Sequence, residues 1–296
     1  MPSSDFRITP RMTSRLAMSN LQNNIEKLNK IQSQISSMKL IQKPSDSPVG
    51  MVSAMHYRSD MGRNDQVSRN INDGLSWLNL AGDTLGSVFT QLQKVRDLTI
   101  QGANATADPT AREAIATEID NIKSTIVGLA NTKNLDRPIF AGTATGNIAY
   151  DAAGNYVGKT AVIERSIAPG VRMQVNVNGD EVFGPAGNDV FTMLTKLAAD
   201  MRTNPSQLST DTASLDSRIS GVQNSIASIG ARSNRLETMK DRNSMDGLTL
   251  KQSLSQVEDV DLAQATMELS LQQVAYQAAL QTTAKVIQPS LVDFLK

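Results

Sequence analysis

The chain has 296 residues, of which 40% are hydrophobic and only 4% aromatic, with 29 basic residues balancing 29 acidic ones and no cysteine. That balance removes the long-range field that would draw the chain to nucleic acid or an anionic membrane. The missing thiols exclude disulfides, thiolate metal sites and thiol redox chemistry, and the few aromatics leave a core of Ile, Leu, Val, Met and Ala, which suits helix seams.

In chain order, the first twenty residues interleave arginine and polar groups where the apolar core of a signal peptide would lie, so export would need an address other than a cleaved signal. Leu21, Leu28 and Ile35 stand seven apart, with Ile31 and Met38 in the intervening heptad positions, which predicts a helix with one apolar stripe. Lys43-Pro44-Ser45-Asp46-Ser47-Pro48 should break it. A second helix follows, in which Ile71, Leu75, Leu78, Gly82, Leu85, Phe89 and Leu92 alternate by four and three. Asp108 as cap and Pro109 at the first helical position predict a third helix, with Ile115, Ile119, Ile122, Ile126 and Leu129 on one face.

From about Phe140 to Gly187 the helical period gives way to short alternating runs at 161–165 and 171–177, with turn signals at Ala153-Gly154-Asn155 and Asn178-Gly179. Helical spacing returns through Leu208, Leu215, Ile219, Val222, Ile226, Ile229 and Leu236. In the last 39 residues Leu262, Leu269, Tyr276, Leu280, Ile287, Leu291 and Phe294 recur at helical spacing, and Leu269 to Ala284 is sixteen residues without a charge.

These elements predict a mainly α fold with a β insertion, nested along the chain. Residues 1–43 form an N-terminal assembly helix, 44–140 and 188–250 the two parts of a helical rod, 141–187 a small β domain, and 251–296 a C-terminal assembly helix. The terminal stripes are expected to find no domain beyond them to cover their apolar faces, and an isolated helix of that length is marginal in water. The two ends are therefore expected to pair, helped by six basic residues against two acids up to Leu40 and five acids against three lysines from Lys251. They are also expected to form an intermolecular surface through Leu21, Leu28, Ile31, Ile35, Leu269, Tyr276, Leu280, Ile287, Leu291 and Phe294. The β insertion, farthest along the chain from both ends, is expected to be dispensable to the helical seams.

The inventory offers no catalytic, cofactor or metal site. His56 is the sole histidine, which excludes histidine triads and multi-histidine zinc sites. Gly154-Asn155-Tyr156-Val157-Gly158-Lys159-Thr160 ends like a phosphate-binding loop, but the spacing requires glycine where Ala153 stands, and a hairpin turn is the better reading.

Two regions resemble a known family. Arg7-Ile8-Thr9 through Gln34-Ile35-Ser36-Ser37 to Pro44-Ser45-Asp46-Ser47-Pro48 is similar to the N-terminal region of the bacterial flagellins and their hook-associated relatives. Gly230-Ala231-Arg232-Ser233-Asn234-Arg235-Leu236-Glu237, Glu258-Asp259-Val260-Asp261-Leu262-Ala263 and Ser290-Leu291-Val292-Asp293-Phe294-Leu295 resemble their C-terminal region. Arg137-Pro138-Ile139-Phe140-Ala141-Gly142-Thr143 looks like the hook-associated branch rather than flagellin. Met38 stands where the family usually has glycine, and Ser47 replaces a second aspartate.

The resemblance implies a structural subunit with no cofactor, exported without a cleaved signal through the flagellar type III apparatus with the help of an export chaperone. It implies assembly with copies of itself into a short ring between hook-associated protein 1 and the flagellin filament, outside the cell, with neither nucleic acid nor membrane as partner. A flagellin filament subunit is the near alternative, and a binding or enzymatic domain displayed on a flagellin scaffold the distant one.

Overall fold

A computed structural model describes residues 10–104 and 108–292, with side chains over 12–104 and 108–284. Seven α-helices are present among the described residues: α1 (Pro10–Ser37), α2 (Pro48–Ala103), α3 (Pro109–Ala130), α4 (Gly179–Phe183), α5 (Val190–Thr203), α6 (Leu208–Glu258) and α7 (Leu262–Val292). Four short strands make two antiparallel pairs, β1 (Lys133–Asn134) with β2 (Arg137–Pro138) and β3 (Glu164–Ala168) with β4 (Val171–Gln174).

The chain divides into two compact units, residues 1–62 with 248–296 and residues 63–247, so α2 and α6 each contribute to both. The terminal unit thus takes in more of each long helix than boundaries at 43 and 251 allow: α6 runs unbroken through 251 and stops only at Glu258.

The helix starts follow local chemistry. Ser47 caps α2, its Oγ accepting from the Gly50 N–H at 3.1 Å, with Pro48 at the first helical position where its missing N–H costs nothing. Asp189 caps α5 by accepting from the Thr192 N–H at 2.8 Å. Asp108 occupies the expected cap position of α3, but its side chain makes no capping bond.

In the larger unit, α2 and α6 run antiparallel. Asn79 and Ser233 share a hydrogen bond of 2.7 Å, and Arg96 bonds to Asp216 at 2.6 Å. Between them lies one buried cluster: Ile71, Leu78, Leu85, Val88 and Leu92 of α2, Leu215, Val222 and Leu236 of α6, and Ile119 and Ile126 of α3, which also packs on α5.

The region from Asn131 to Asp189 is not a separate appendage. Tyr150, Ile167, Met173, Val177, Val182 and Phe183 belong to the same buried cluster as the helices. Arg165 pairs with Asp73 of α2 at 3.0 Å, and Arg232 of α6 donates to the Asn176 carbonyl at 3.3 Å. Five rings, Phe140, Tyr150, Tyr156, Phe183 and Phe191, make edge-on and tilted contacts at centroid distances of 4.8–5.5 Å. The expectation that the insertion leaves the seams untouched is therefore corrected.

Asn178-Gly179, a turn signal in the sequence, instead starts α4. Asn178 is fully buried, and its side-chain oxygen accepts from Asn176 Nδ2 at 3.1 Å.

Candidate functional site

The terminal unit is thinly packed. Its buried apolar side chains among the described residues are Ile41, Ala54 and Ala265. α1 and α7 pack against each other, antiparallel, with Gln272 donating to the Asn24 carbonyl and to its Oδ1 at 3.2 Å each. Leu21, Leu28, Ile31 and Ile35 on α1, and Leu269 and Tyr276 on α7, are half-buried. These six sequence-selected residues lie on the faces that the two helices turn to each other, so they are occupied within the chain. Leu280 is 42% exposed. The side chains of Ile287 and Leu291, and the whole of Phe294, lie outside the described residues.

Sequence reasoning missed a second stripe. Met267, Leu271 and Val274 are exposed at 65%, 69% and 65%, and Ala278 is exposed beside them. Their spacing of four, three and four is a heptad seam; at 100° per residue Met267, Val274 and Ala278 lie nearly opposite the face carrying Ala265, Leu269, Gln272 and Tyr276, while Leu271 borders the groove beside Ile31 of α1. α7 is therefore apolar on two sides, and α1 covers one. The signal was present in the sixteen uncharged residues, where Leu271, Val274 and Ala278 continue a second apolar spacing beside that of Leu269, Tyr276 and Leu280. α1 adds Met18 and Ile25, exposed at 50% and 37% and seven residues apart.

Among the described residues no three His, Cys, Asp or Glu side chains group as a metal site, and no helix is long and apolar enough to cross a membrane. In the Gly154–Thr160 stretch Tyr156 bridges to Tyr150, the Lys159 N–H donates to the Ala141 carbonyl, and no helix follows to bind a phosphate.

A family model for the bacterial flagellin N-terminal helical region matches residues 8–145, and one for the flagellin C-terminal helical region matches residues 192–295. The chain belongs to the bacterial flagellin family. It is similar to flagellar hook-associated protein 3 of Escherichia coli strain K12, 25% identical over 300 residues that span 93% of this chain and 95% of the relative. The protein of the same name from Salmonella typhimurium strain LT2 is 26% identical over 303 residues, 94% and 96% of the two chains. The crystal structure of Bacillus cereus FlgL shares the fold, with a TM-score of 0.60 over 68% of this chain and 99% of that one at 24% identity. The two flagellin regions hold α1 to α3, α5 from its third residue, α6 and α7, while β3, β4 and α4 lie in the unmatched interval between them. The family is one of structural flagellar proteins, and the two-sided α7 falls wholly within its C-terminal region.

Proposed function

We propose that this flagellin-family chain is the subunit of the hook–filament junction, built into a short ring of its own copies between hook-associated protein 1 and the flagellin filament. The observation that carries the assembly part is the uncovered stripe Met267, Leu271, Val274 and Ala278 on a helix whose other face is already filled. Covering three such side chains contributes on the order of 1–2 kcal/mol each, too little for one pair of copies but cumulative around a closed ring. The junction part is supported by the full-length similarity to hook-associated protein 3 in two organisms. In this reading the subunit reaches the extracellular flagellum by the flagellar type III route, with a chaperone covering α7 beforehand.

Flagellins are also among the relatives, which makes a filament subunit the second reading. A strain lacking this chain should release flagellin into the medium and build no filament. The wild-type chain should restore filaments, and Leu271→Asp should be exported but fail to. Purified chain that extends filament seeds unaided would favour the filament reading instead.

A further inference from the structure

The turn between β1 and β2 carries the wrong residue for its backbone. Pairing of Lys133 with Pro138 and of Asn134 with Arg137 leaves Leu135 and Asp136 to reverse the chain, and both are left-handed, with φ of +47° and +63°. Glycine and asparagine suit such a turn and aspartate tolerates it, whereas leucine is strained there. Leu135 is also 88% exposed. Nothing in its own subunit offsets either the strain or the exposure, which is the pattern of a group held ready for a partner.

The tip is held firmly from below. Asn134 Nδ2 donates to Ser76 Oγ of α2 at 3.3 Å, the Ile139 N–H donates to the Thr132 carbonyl at 2.9 Å, and Pro138 is buried. Asp136 and Arg137 stand exposed beside Leu135 and make no ion pair among the described residues.

A groove of about 270 Å³ with matching features lies between α6 and the segment entering α4. Val177 and Ile229 form its apolar floor, Ser228 its rim, and Glu181 and Arg232 its charged walls. Asn178 Nδ2 donates to Glu181 at 3.3 Å and Arg232 donates to the Asn176 carbonyl at 3.3 Å, which positions both charges and leaves each with bonding capacity to spare. The groove has room for a leucine side chain, and its base and acid complement the acid and base that follow Leu135.

One copy cannot fill its own groove. Ser76 holds the hairpin, while a Cβ at Gly74 would come within 2.8 Å of Val175; two residues apart on α2, they point about 200° away from each other. The hairpin and the 175–181 segment therefore flank α2 on opposite sides. A contact between two such different surfaces is head-to-tail, and contacts of that kind close into rings.

We propose that Leu135 of one subunit docks into the groove floored by Val177 and Ile229 on the next, with Asp136 set against Arg232 and Arg137 against Glu181. The proposal rests on the reading of the chain as a subunit that assembles with its own copies, and it adds a contact within the larger unit.

The absence of native cysteine makes a direct test available in flagella assembled from the full-length protein. In a strain lacking the native chain, Asp136→Cys/Ser228→Cys should restore filaments and, on oxidation, give a ladder of dimers, trimers and larger species, while either single variant gives none. Filaments without a ladder would overturn the second copy as the occupant, and a ladder that stops at dimers would overturn the head-to-tail arrangement. Separately, Asp136→Arg and Arg232→Asp should each lower filament number by at least about tenfold, and their combination should restore most of it; a double variant no better than either single one would overturn the pairing. Leu135→Gly relieves the turn, so it should raise the thermal midpoint of the subunit and still lower filament number, and filaments at the parental number would overturn the role of the leucine. Normal filaments in the strain lacking the chain would instead sink the junction reading, and this contact with it, before any variant is made.

Discussion

Asn64 and Asn243 hold each other reciprocally across the antiparallel pair α2 and α6. Asn64 Nδ2 donates to the Asn243 carbonyl at 2.8 Å, and Asn243 Nδ2 donates to the Asn64 carbonyl at 3.2 Å. A polar pair inside an apolar seam is satisfied in one alignment only, so it fixes register where Leu and Ile would tolerate sliding. Asn64→Leu should lower the stability of the larger unit by about 1–2 kcal/mol, because it strands the Asn243 amide in a half-buried place. The double replacement Asn64→Leu/Asn243→Leu should recover most of that loss. Chemical denaturation of the three proteins measures it, and a double variant no better than the single one would show that the pair is not a unit.

Met38 follows α1 with φ of +57°, a left-handed conformation that costs a residue with a Cβ about 1–2 kcal/mol. Its side chain is 61% exposed, so little packing offsets the strain. Met38→Gly should stabilise the terminal unit by about 1 kcal/mol, and Met38→Val should weaken it further. Amide exchange in the last two turns of α1 reads the change; faster exchange in the glycine variant would show that the thioether matters more than the backbone.

How much of this was legible in sequence follows from periodicity. The long seams could be read because Ile71, Leu75 and Leu78, or Leu215, Ile219 and Val222, announce a face at a fixed spacing. Met38 could be flagged because glycine is usual there in the family, and the strain confirms why. The second face of α7 was hidden because two opposed stripes cancel in any measure of one-sidedness. The shared core of the insertion was hidden because Tyr150 and Phe183 meet α5 through tertiary contacts between residues with no common period. The burial of Glu258 was hidden because nothing local reveals that Arg58, two hundred residues away, bonds to it.

Gly142 lies in the Phe140-Ala141-Gly142-Thr143 stretch with φ of +61°, and a Cβ there would come within 2.1 Å of the Lys159 carbonyl oxygen. Gly170 has φ of +74° but open space around it. Both alanine variants carry backbone strain, and only the first adds a clash with main chain that has nowhere to go. Gly170→Ala should cost about 1 kcal/mol and Gly142→Ala about 3 kcal/mol or more. Thermal unfolding followed by near-ultraviolet circular dichroism, sensitive to the ring cluster, separates them; equal losses would mean that the 141–159 loop simply moves aside.

Acid should loosen the terminal unit before the larger one. Hydrogen bonding to Lys39, then to Ser255, holds the Asp259 carboxyl below its ordinary range, and Lys30 with the Lys43 and Gln42 N–H groups does the same for Asp46. A depressed carboxylate contributes stability above its unfolded pKa and loses it as pH falls through the folded one, so the window lies below about pH 4. Lys39, raised chiefly by its bond to Asp259, works the other way and gives up its contribution above about pH 10. The larger unit has carboxylates shifted in the same direction, Glu118 and Asp151, but sets a continuous apolar core against their loss. Proteolysis between pH 7 and pH 3 with an acid-tolerant protease should cut first before residue 48 and after 258. Asp259→Asn should cut at those places already at neutral pH. Simultaneous loss of both units would count against this order.

Replacing residues 146–183 with a short Gly/Ser linker tests the correction about the insertion most severely. Closing a loop of that length is a small entropic matter, which is why the segment looks removable from sequence. The structure gives the opposite expectation, because the replacement deletes Tyr150, Ile167, Met173, Val177, Val182 and Phe183 from a cluster that also contains Phe140, Phe191 and the α2 and α6 seam. Losing one buried ring already costs about 3–5 kcal/mol. Losing six of these side chains exceeds the roughly 5–15 kcal/mol that holds a domain together. The linker variant should therefore lose its cooperative thermal transition, and Phe183→Ala alone should lower the midpoint by several degrees while leaving helix content at room temperature unchanged. Circular dichroism at 222 nm decides the matter: a linker variant that melts cooperatively within a few degrees of the parent would mean that α2, α3 and α6 hold together without the cluster, and that the insertion is a passenger after all.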